Sequence, residues 1–307
     1  MVLKFESSMK LTRRSVLAGM AAACAAPSMA RAFDIPAEPR LLSHDYMKAR
    51  EHFSTHLLQK GPAPDKYEPL ETPADAERVF YRSGRGGQLS LTAWVSKYKR
   101  EKKLKPAVLF LHGGNAMGIG QWQPLKAYVD AGYVVMMPSL RGENGQMGIF
   151  SGFYDEVSDV LAAAERLAHL PGVDRKRVFL AGHSVGGALA MLASMSTHRF
   201  RASVPISGNP NAFRFFNRYP DDIRFDDSNP HEFEVRSAVC YAHSFKCPTL
   251  LLHASEETHF DDGQELLIKR AQAAKVSIKS DVILGNHTTQ IPGAIDASMQ
   301  FFRSVAA

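Results

Sequence analysis

One short stretch of the chain places a single serine among glycines, where an apolar run ends and an alanine-rich run begins. Residues 177–192 read RVFLAGHSVGGALAML and contain the pattern G-x-S-x-G at 182–186. In a tight turn from a strand into a helix, glycines at these two positions leave room for the backbone and keep the serine hydroxyl clear of the sheet. Ser184 is therefore the candidate nucleophile. The alternative is an idle serine in a glycine-rich turn.

A serine hydroxyl is a weak nucleophile until a base takes its proton, and a histidine is the usual base. His287 stands in VILGNHTTQIPG, between the last predicted strand and the last predicted helix, where this arrangement needs it. A solvent-facing loop histidine is the alternative. His183 belongs to the serine turn itself and His112 precedes the serine, so both fit this role less well.

A carboxylate must orient the base, and in this order of elements it follows the penultimate strand. Four carboxylates compete after PTLLLHA. Glu257 is the first candidate because it falls three residues past the predicted strand end. Asp261 or Asp262 is the second choice and Glu256 the third, since aspartate is commoner than glutamate at this position.

Acyl transfer also needs two N–H donors for the negatively charged oxygen of the tetrahedral intermediate, the oxyanion. The backbone N–H of Val185, directly after the serine, is the first candidate. The second belongs to the loop FLHGGNAMG after the first core strand, where glycine lets the backbone approach a substrate. Gly114 is preferred there and Asn115 is the runner-up, with a plain glycine turn as the alternative.

The elements that would position these residues follow from alternating short apolar runs and longer amphipathic ones. The chain has 307 residues, 45% hydrophobic and 22% charged, which excludes disordered and fibrous proteins. Continuous Val/Leu/Ile runs predict a mostly parallel central sheet with helices on both faces. The predicted core strands are 107–111, 133–137, 177–181, 202–207, 248–254 and 276–283. The predicted helices are 122–131, 153–169, 185–196, 262–275 and 292–304.

Two further regions flank or interrupt this pattern. Residues 33–76 are predicted as an N-terminal helical segment with a helix over 41–59, and the main domain covers 77–307, beginning with a strand pair. Within that domain, 208–245 is a short lid-like insertion over the carboxyl edge of the sheet. Its aromatic residues are candidates for an apolar acyl pocket, and packing of a long loop on the sheet is the alternative. These residues are Phe213, Phe215, Phe216, Tyr219 and Phe225.

Residues 1–32 carry five basic side chains and one acidic one, a net charge of +4 out of the +6 of the whole chain. Residues 12–19, TRRSVLAG, are similar to a twin-arginine export signal, and the small residues around Arg31 predict cleavage near Ala32. The apolar part is too short for a stable membrane span, although a retained anchor is the alternative. The sequence therefore predicts the twin-arginine export machinery as a partner and a periplasmic or secreted mature chain.

The remaining charge is only +2, and the run KYKREKK at 97–103 fits a solvated turn, so we expect no nucleic-acid partner. For Cys240 and Cys247 the sequence leaves two alternatives, a disulfide and two unpaired thiols. His52 and His56 have helical i, i+4 spacing, but no third ligand is evident. We expect neither a metal nor an organic cofactor.

The assembled motifs resemble the α/β-hydrolase superfamily over residues 77–305. Within it, LFLHGGN, PSLRGENG, VDRKRVFLAGHSVGG and RSAVCYAHSFKCPTLLLHASEE are similar to the catalytic domain of the prolyl oligopeptidase family and its single-domain relatives. The resemblance implies an α/β-hydrolase fold with Ser184 as nucleophile, His287 as base and Glu257 as acid. Arg141 belongs to the resembling region and is either a substrate contact or, preferably, part of a structural ion pair.

The chain departs from that family in three respects. We expect no room for the family's β-propeller, the acid loop has Ala254 and Glu257 where the family has glycine and aspartate, and no clamp for a substrate amino terminus is identifiable. The preferred function is therefore an exported serine hydrolase that cleaves a carboxylic ester through an acyl-enzyme. A peptidase acting on short peptides is the alternative within this class, with acyl transfer to an acceptor other than water also open. A non-catalytic binding protein of the same fold is the alternative outside it.

Overall fold

The computed structural model describes residues 33–67, 69–99, 101–257 and 261–306. Phe33–Ala307 form one compact unit. The predicted export signal falls on residues 1–32, outside the described residues. No helix within the described ranges is long and apolar enough to cross a membrane.

The described residues form an eight-stranded sheet. Its strands are β1 (Ala76–Ser83), β2 (Leu89–Ser96), β3 (Lys105–Leu111), β4 (Val134–Pro138), β5 (Val173–His183), β6 (Ser203–Ile206), β7 (Thr249–Ala254) and β8 (Ile278–Ile283). They lie in the order β1-β2-β4-β3-β5-β6-β7-β8. Strand β2 is antiparallel to β1 and β4, and the pairs from β4 to β8 are parallel.

Helices cover both faces of the sheet. The helices are α1 (Tyr46–Glu51), α2 (Ile119–Trp122), α3 (Lys126–Asp130), α4 (Glu156–Ala168), α5 (Val185–Ser196), α6 (Ala212–Arg218), α7 (Pro230–Glu234), α8 (Asp261–Ala273) and α9 (Ile291–Ala306). In β3, Leu109 packs with α4 and α5 on one face, whereas Val108 packs with α3 and α9 on the other. This double burial is why β3 is apolar at every central position. The predicted α/β-hydrolase architecture is confirmed.

The N-terminal segment differs from its prediction. A helix was expected over 41–59, but α1 covers only Tyr46–Glu51, so His52 and His56 do not share a helix. Downstream, the chain is tied to the insertion: the backbone N–H of His56 donates to the Glu232 carboxylate at 2.6 Å. The apolar residues of 41–59 have helical spacing. Tertiary hydrogen bonds nevertheless hold the chain around His56 in a non-helical conformation.

The insertion packs its aromatic side chains on one another. Phe216 and Phe225 are fully buried with ring centroids 5.0 Å apart, and Phe213 lies 4.9 Å from Phe233. The hypothesis that these aromatics line an acyl pocket is wrong, because none of the five lines the cavity at the serine. Phe213, Phe216 and Phe225 are buried in this cluster, whereas Tyr219 is 47% exposed. The alternative, packing of the insertion on the body, is what the structure shows.

One buried cation anchors the insertion. Arg236 pairs with Glu232 at 2.6 Å and donates to the Gly152 carbonyl at 2.6 Å, and its guanidinium lies 3.9 Å from the centroid of the Phe225 ring. A fully buried guanidinium is tolerated only where such partners compensate its lost hydration. The insertion is therefore fixed to the loop before α4.

Three residues whose roles the sequence left open are also placed. Cys240 and Cys247 are both buried and unpaired, and burial raises the pKa of each thiol to about 12. Arg141 donates from Nε and Nη2 to the fully buried carboxylate of Asp159, at 2.9 and 2.7 Å. The structural ion pair is therefore the role of Arg141 in the fold.

Candidate active site

Strand β5 ends at His183 and helix α5 begins at Val185, so Ser184 alone makes the turn. Its φ of 57° and ψ of −118° are unfavourable for a residue with a Cβ. The flanking glycines permit this turn. A Cβ at Gly182 would lie 2.3 Å from the Gly186 carbonyl oxygen, and one at Gly186 would lie 2.2 Å from the Leu111 carbonyl oxygen. Ser184 therefore occupies a strained bend of the predicted kind.

The loop after β7 carries Glu257 to the loop after β8, which carries His287. The imidazole Nδ1 of His287 forms a short contact with Oε1 of Glu257. The other oxygen, Oε2, accepts hydrogen bonds from the Ser207 hydroxyl and from the Ala254 N–H, the latter at 3.1 Å. Gln290 Nε2 lies 3.3 Å from the same oxygen. Glu257 is thus held from several sides, and only 4% of it is exposed.

These contacts determine the protonation state of the acid. Burial alone would raise the pKa of Glu257, but hydrogen bonds from His287, Ser207 and the Ala254 N–H lower it to about 2. The carboxylate therefore stays ionised at neutral pH. An ionised partner at Nδ1 favours the tautomer whose Nε2 is free to accept a proton.

The other predicted carboxylates are placed differently. Glu256 is exposed, and its backbone N–H donates to the Gly285 carbonyl at 3.1 Å. Helix α8 begins at Asp261, but the side chains of Asp261 and Asp262 lie outside the described residues. Of the described candidates, Glu257 is the one in contact with His287. The alternative of a non-catalytic binding protein rested on the irregular sequence of the acid loop, and this contact removes that argument.

Ser184 and His287 line one cavity of about 700 Å³ at the carboxyl edge of the sheet. Small residues, among them Gly113 and Ala116, form part of its wall, and Ile291 at the start of α9 adds an apolar surface. Asp65 from the N-terminal segment lies at the same cavity. The structure therefore brings the nucleophile and the base of the prediction to a common space that a substrate can enter.

The two predicted oxyanion donors are backbone groups beside this cavity. Val185 is the first residue of α5, where N–H groups have no acceptor within the helix. Gly114 adopts φ +65°, the left-handed conformation for which glycine is suited. The runner-up is engaged elsewhere, because the Asn115 N–H donates to Asp65 Oδ2 at 2.7 Å. Val185 and Gly114 thus remain the two candidates.

Two side chains that the sequence analysis did not single out hold the loop that carries Gly114. Asp65 accepts the Asn115 N–H, and Gln121 donates from Nε2 to the Gly113 carbonyl at 2.7 Å. Below them, His112 Nε2 lies 3.1 Å from Glu143 Oε2 in a buried pair. Burial disfavours the charged imidazole, yet the Glu143 carboxylate raises the pKa of His112. His112 therefore supports the loop and is not placed as a base.

His183 is a further residue whose role was not predicted. Its Nε2 lies 2.8 Å from the carbonyl oxygen of His287, and the two rings are 4.5 Å apart. Burial, followed by the neighbouring His287, lowers the pKa of His183 to about 4, so it is neutral at pH 7 and donates its Nε2 proton to that carbonyl. The position of this histidine directly before the nucleophile was the one sequence signal for this contact.

A metal site is not supported by the side chains described. Within these ranges, no group of three His, Cys, Asp or Glu residues could hold a metal ion. His56 instead lies 3.6 Å from the Asp226 carboxylate.

Comparison with known proteins shows similarity to one family over part of the chain. The sequence profile of the prolyl oligopeptidase family matches residues 121–266. Two similar proteins are the uncharacterized peptidases YuxL and YtmA of Bacillus subtilis, each 24% identical, over 69% and 52% of this chain respectively. The matched regions cover 35% of YuxL and 66% of YtmA, so this chain spans only part of the length of these relatives.

Solved structures agree in architecture. Acylaminoacyl peptidase from Pyrococcus horikoshii superposes with a TM-score of 0.62 at 21% identity, covering 74% of this chain and 41% of that one. A puromycin-hydrolyzing peptidase of Mycobacterium tuberculosis gives 0.65 at 20% identity, covering 75% and 39%. At this identity the likeness shows the fold. The chain therefore has an α/β-hydrolase fold, and its residues 121–266 are similar to the prolyl oligopeptidase family.

Proposed function

We propose that this chain hydrolyses a short peptide amide or a small carboxylic ester through an acyl-enzyme formed on Ser184. The observation that carries the proposal is the arrangement of one cavity: Ser184 on a strained turn, and His287 with its Nδ1 held by an ionised Glu257. A serine hydroxyl beside an imidazole that a carboxylate orients is the arrangement that acyl transfer requires.

In the first half-reaction, Ser184 Oγ bonds to the substrate carbonyl carbon while His287 Nε2 takes the hydroxyl proton. The carbonyl oxygen becomes an oxyanion, which accepts hydrogen bonds from the N–H groups of Val185 and Gly114. Glu257 stabilises the imidazolium formed on His287. The bond to the leaving group then breaks, and His287 returns its proton to the departing amine or alcohol.

In the second half-reaction, water attacks the acyl carbon and gives one proton to His287 Nε2. The tetrahedral intermediate uses the same two N–H donors. Its collapse breaks the bond to Ser184 Oγ, which regains the proton from His287 and releases the carboxylic acid. The serine, histidine and carboxylate are restored, and the net reaction consumes one water molecule per bond cleaved.

The substrate class rests on the cavity and on the family. The similarity of residues 121–266 to a peptidase family supports a peptide amide at least as well as an ester. The sequence preference for an ester was drawn from the expectation that the chain has no room for a β-propeller, and the aromatic residues of the insertion add nothing to it, since none of them lines the cavity. A small ester remains the second candidate, since Phe110, Pro124 and Ile291 give the cavity an apolar wall.

A fluorophosphonate probe tests the nucleophile. We expect the unaltered chain to be labelled, Ser184→Ala to lose labelling, and Ser228→Ala, an exposed serine of the insertion, to keep it. Labelling that persists in Ser184→Ala contradicts the assignment. Turnover of aminoacyl-naphthylamides compared with short p-nitrophenyl esters then ranks the two substrate classes.

We also propose that the chain is exported through the twin-arginine machinery and acts in the periplasm or outside the cell. The support is the sequence TRRSVLAG at 12–19 with small residues up to Ala32. Replacing both Arg13 and Arg14 by lysine should leave the protein in the cytoplasmic fraction of a bacterial host. Export that continues unchanged in this variant contradicts the proposal.

A further inference from the structure

Another cavity, which we call the basic cavity, lies at the amino edge of the sheet, opposite the edge that carries Ser184. Its volume is about 630 Å³. The wall is formed by the start of β5, the loop between α5 and β6, and the residues just before β7. Among the described residues, no carboxylate lines it. Six of the ten residues that do line it are basic, namely Arg175, Lys176, His198, Arg199, Arg201 and Lys246.

Carboxylates outside the wall neutralise two of these basic side chains. Arg199 Nη2 lies 2.5 Å from Glu165 Oε2, and the Lys246 ammonium pairs with the Asp45 carboxylate. Glu165 belongs to α4, and Asp45 directly precedes α1. The charges of Arg199 and Lys246 are therefore balanced within the chain itself.

Three cations of the wall remain unbalanced: Arg175, Lys176 and Arg201. All three are exposed, and none of them forms an ion pair with a carboxylate that the structure describes. Asp174, the nearest carboxylate in sequence, accepts hydrogen bonds from Arg177 Nε at 2.7 Å and from the Lys176 backbone N–H at 2.9 Å. A concave surface lined by charge of one sign concentrates the field inside it. The basic cavity therefore attracts anions.

We propose that the basic cavity binds a compact ligand that carries phosphate groups. A guanidinium offers a phosphate two parallel N–H donors, and Arg175 and Arg201 supply two such groups from different segments of the wall. Lys176 adds a point charge, and the exposed imidazole of His198 adds an N–H donor. A phosphate monoester carries about two negative charges on one group at neutral pH, so two such groups balance the three free cations.

The size and the other lining groups of the basic cavity fit such a ligand. A volume of about 630 Å³ is in the range of small-molecule sites and accommodates a sugar phosphate or the headgroup of a phospholipid. The Cys247 side chain also lines it. Burial raises the pKa of this thiol to about 12, so it stays neutral and adds no negative charge that would repel the ligand.

The basic cavity is separate from the proposed site of hydrolysis. Strands β5, β6 and β7 are parallel, so the segments before β6 and β7 lie at the opposite edge from the turn at Ser184 and the loop of Glu257. Ligand binding should therefore be unchanged in Ser184→Ala. For the same reason, a chain without hydrolytic activity would leave this proposal intact.

Isothermal titration calorimetry of the full chain with inorganic tripolyphosphate tests the site. We expect binding that weakens as salt is added, and a Kd that rises about tenfold or more in Arg175→Glu and in Arg201→Glu. Lys279→Glu is the matched control, because it makes the same change of charge at an exposed position of β8, and it should alter Kd less than about twofold. Both arginines are exposed, so these variants should unfold at the temperature of the unaltered chain.

Vesicles of phosphatidylglycerol distinguish a lipid headgroup from a soluble phosphate as the source of the ligand. For a lipid, the chain should cosediment with the vesicles and be displaced by tripolyphosphate. For a soluble ligand, the chain should bind tripolyphosphate and stay in the supernatant. Either result supports the basic cavity as a phosphate site. An unaltered chain that does not bind tripolyphosphate, or an equal loss of affinity in Arg201→Glu and Lys279→Glu, would overturn the proposal.

Discussion

The imidazole of His183 donates a hydrogen bond to the backbone carbonyl of His287, linking the residue before the nucleophile to the loop that carries the base. The two histidines are separated by 104 positions in the chain, and the distance is 2.8 Å. Because His183 is neutral above a pKa of about 4, this bond persists across the pH range in which a histidine base works. His183 is thus a positioning residue in the proposed reaction.

We predict that His183→Ala lowers kcat by about 10- to 100-fold with little change in KM, because the His287 loop loses its anchor. His183→Gln keeps an N–H donor at a similar reach and should retain most of the activity. Steady-state kinetics on a reactive ester and on a naphthylamide measure both parameters. Equal losses in the two variants, or a loss confined to KM, would argue that His183 acts only through general packing.

Replacing the acid should disable turnover while leaving the fold intact. In Glu257→Gln the neutral amide neither favours the required tautomer of His287 nor stabilises its charged form, so we expect kcat to fall about 10³- to 10⁴-fold. The kcat of Glu257→Asp should lie between that of Glu257→Gln and that of the unaltered chain, because the shorter side chain keeps the charge but no longer reaches His287 Nδ1. Glu256→Gln is the matched control, and a loss there equal to that of Glu257→Gln would reassign the acid.

The depressed pKa of Glu257 also predicts how stability depends on pH. The folded pKa of about 2 lies below the ordinary value of 4.5, so the unfolded chain binds this proton first as pH falls. The stabilisation from the ionised carboxylate is complete above about pH 4.5 and is lost as pH falls from there towards 2. Urea denaturation at a series of pH values should show a smaller loss of unfolding free energy in Glu257→Gln than in the unaltered chain. Parallel curves for the two proteins would contradict the assignment.

Asp65 should matter for catalysis although it lies far from Ser184 in sequence. Asp65→Ala removes the acceptor of the Asn115 N–H and frees the loop that carries Gly114. We expect kcat on both substrate classes to fall about tenfold, since small misplacements of an oxyanion donor weaken transition-state binding. Asp130→Ala, an exposed carboxylate in α3, is the control. Unchanged kcat in Asp65→Ala would show that the loop holds its shape without this contact.

The central strands β3, β4 and β6 were predictable because they are buried on both faces and are therefore continuously apolar. The stretch RVFLA lies within β5, and the Gly-rich turn after it forms the predicted bend at Ser184. The order of the loops after β7 and β8 follows from the same alternation, which is why Glu257 and His287 could be named from the sequence. Their contact depends on the shape of two loops, and the sequence left four carboxylates in competition.

The remaining features depend on contacts between distant segments. The predicted helix over 41–59 is longer than the observed α1, because Leu57 forms a β-bridge with Phe225 and is not part of a helical turn. Asp65 lies in the irregular, proline-containing stretch after α1, and nothing local predicts its hydrogen bond to a loop 50 positions later. Residues 208–245, predicted as an insertion, contain α6 and α7 between β6 and β7. Only three-dimensional packing decides whether their aromatic rings face a cavity or one another.

The burial of those rings has a practical meaning for redesign. Substitutions at Phe216 or Phe225 would act on folding yield, whereas the cavity wall at Ala116, Pro124 and Ile291 offers side chains that border the space beside Ser184 directly. A library directed at these wall positions would alter which acyl and leaving groups fit while leaving the scaffold untouched. Selectivity of the proposed hydrolase should therefore evolve from the segment after β3 and the start of α9, and the insertion should change slowly.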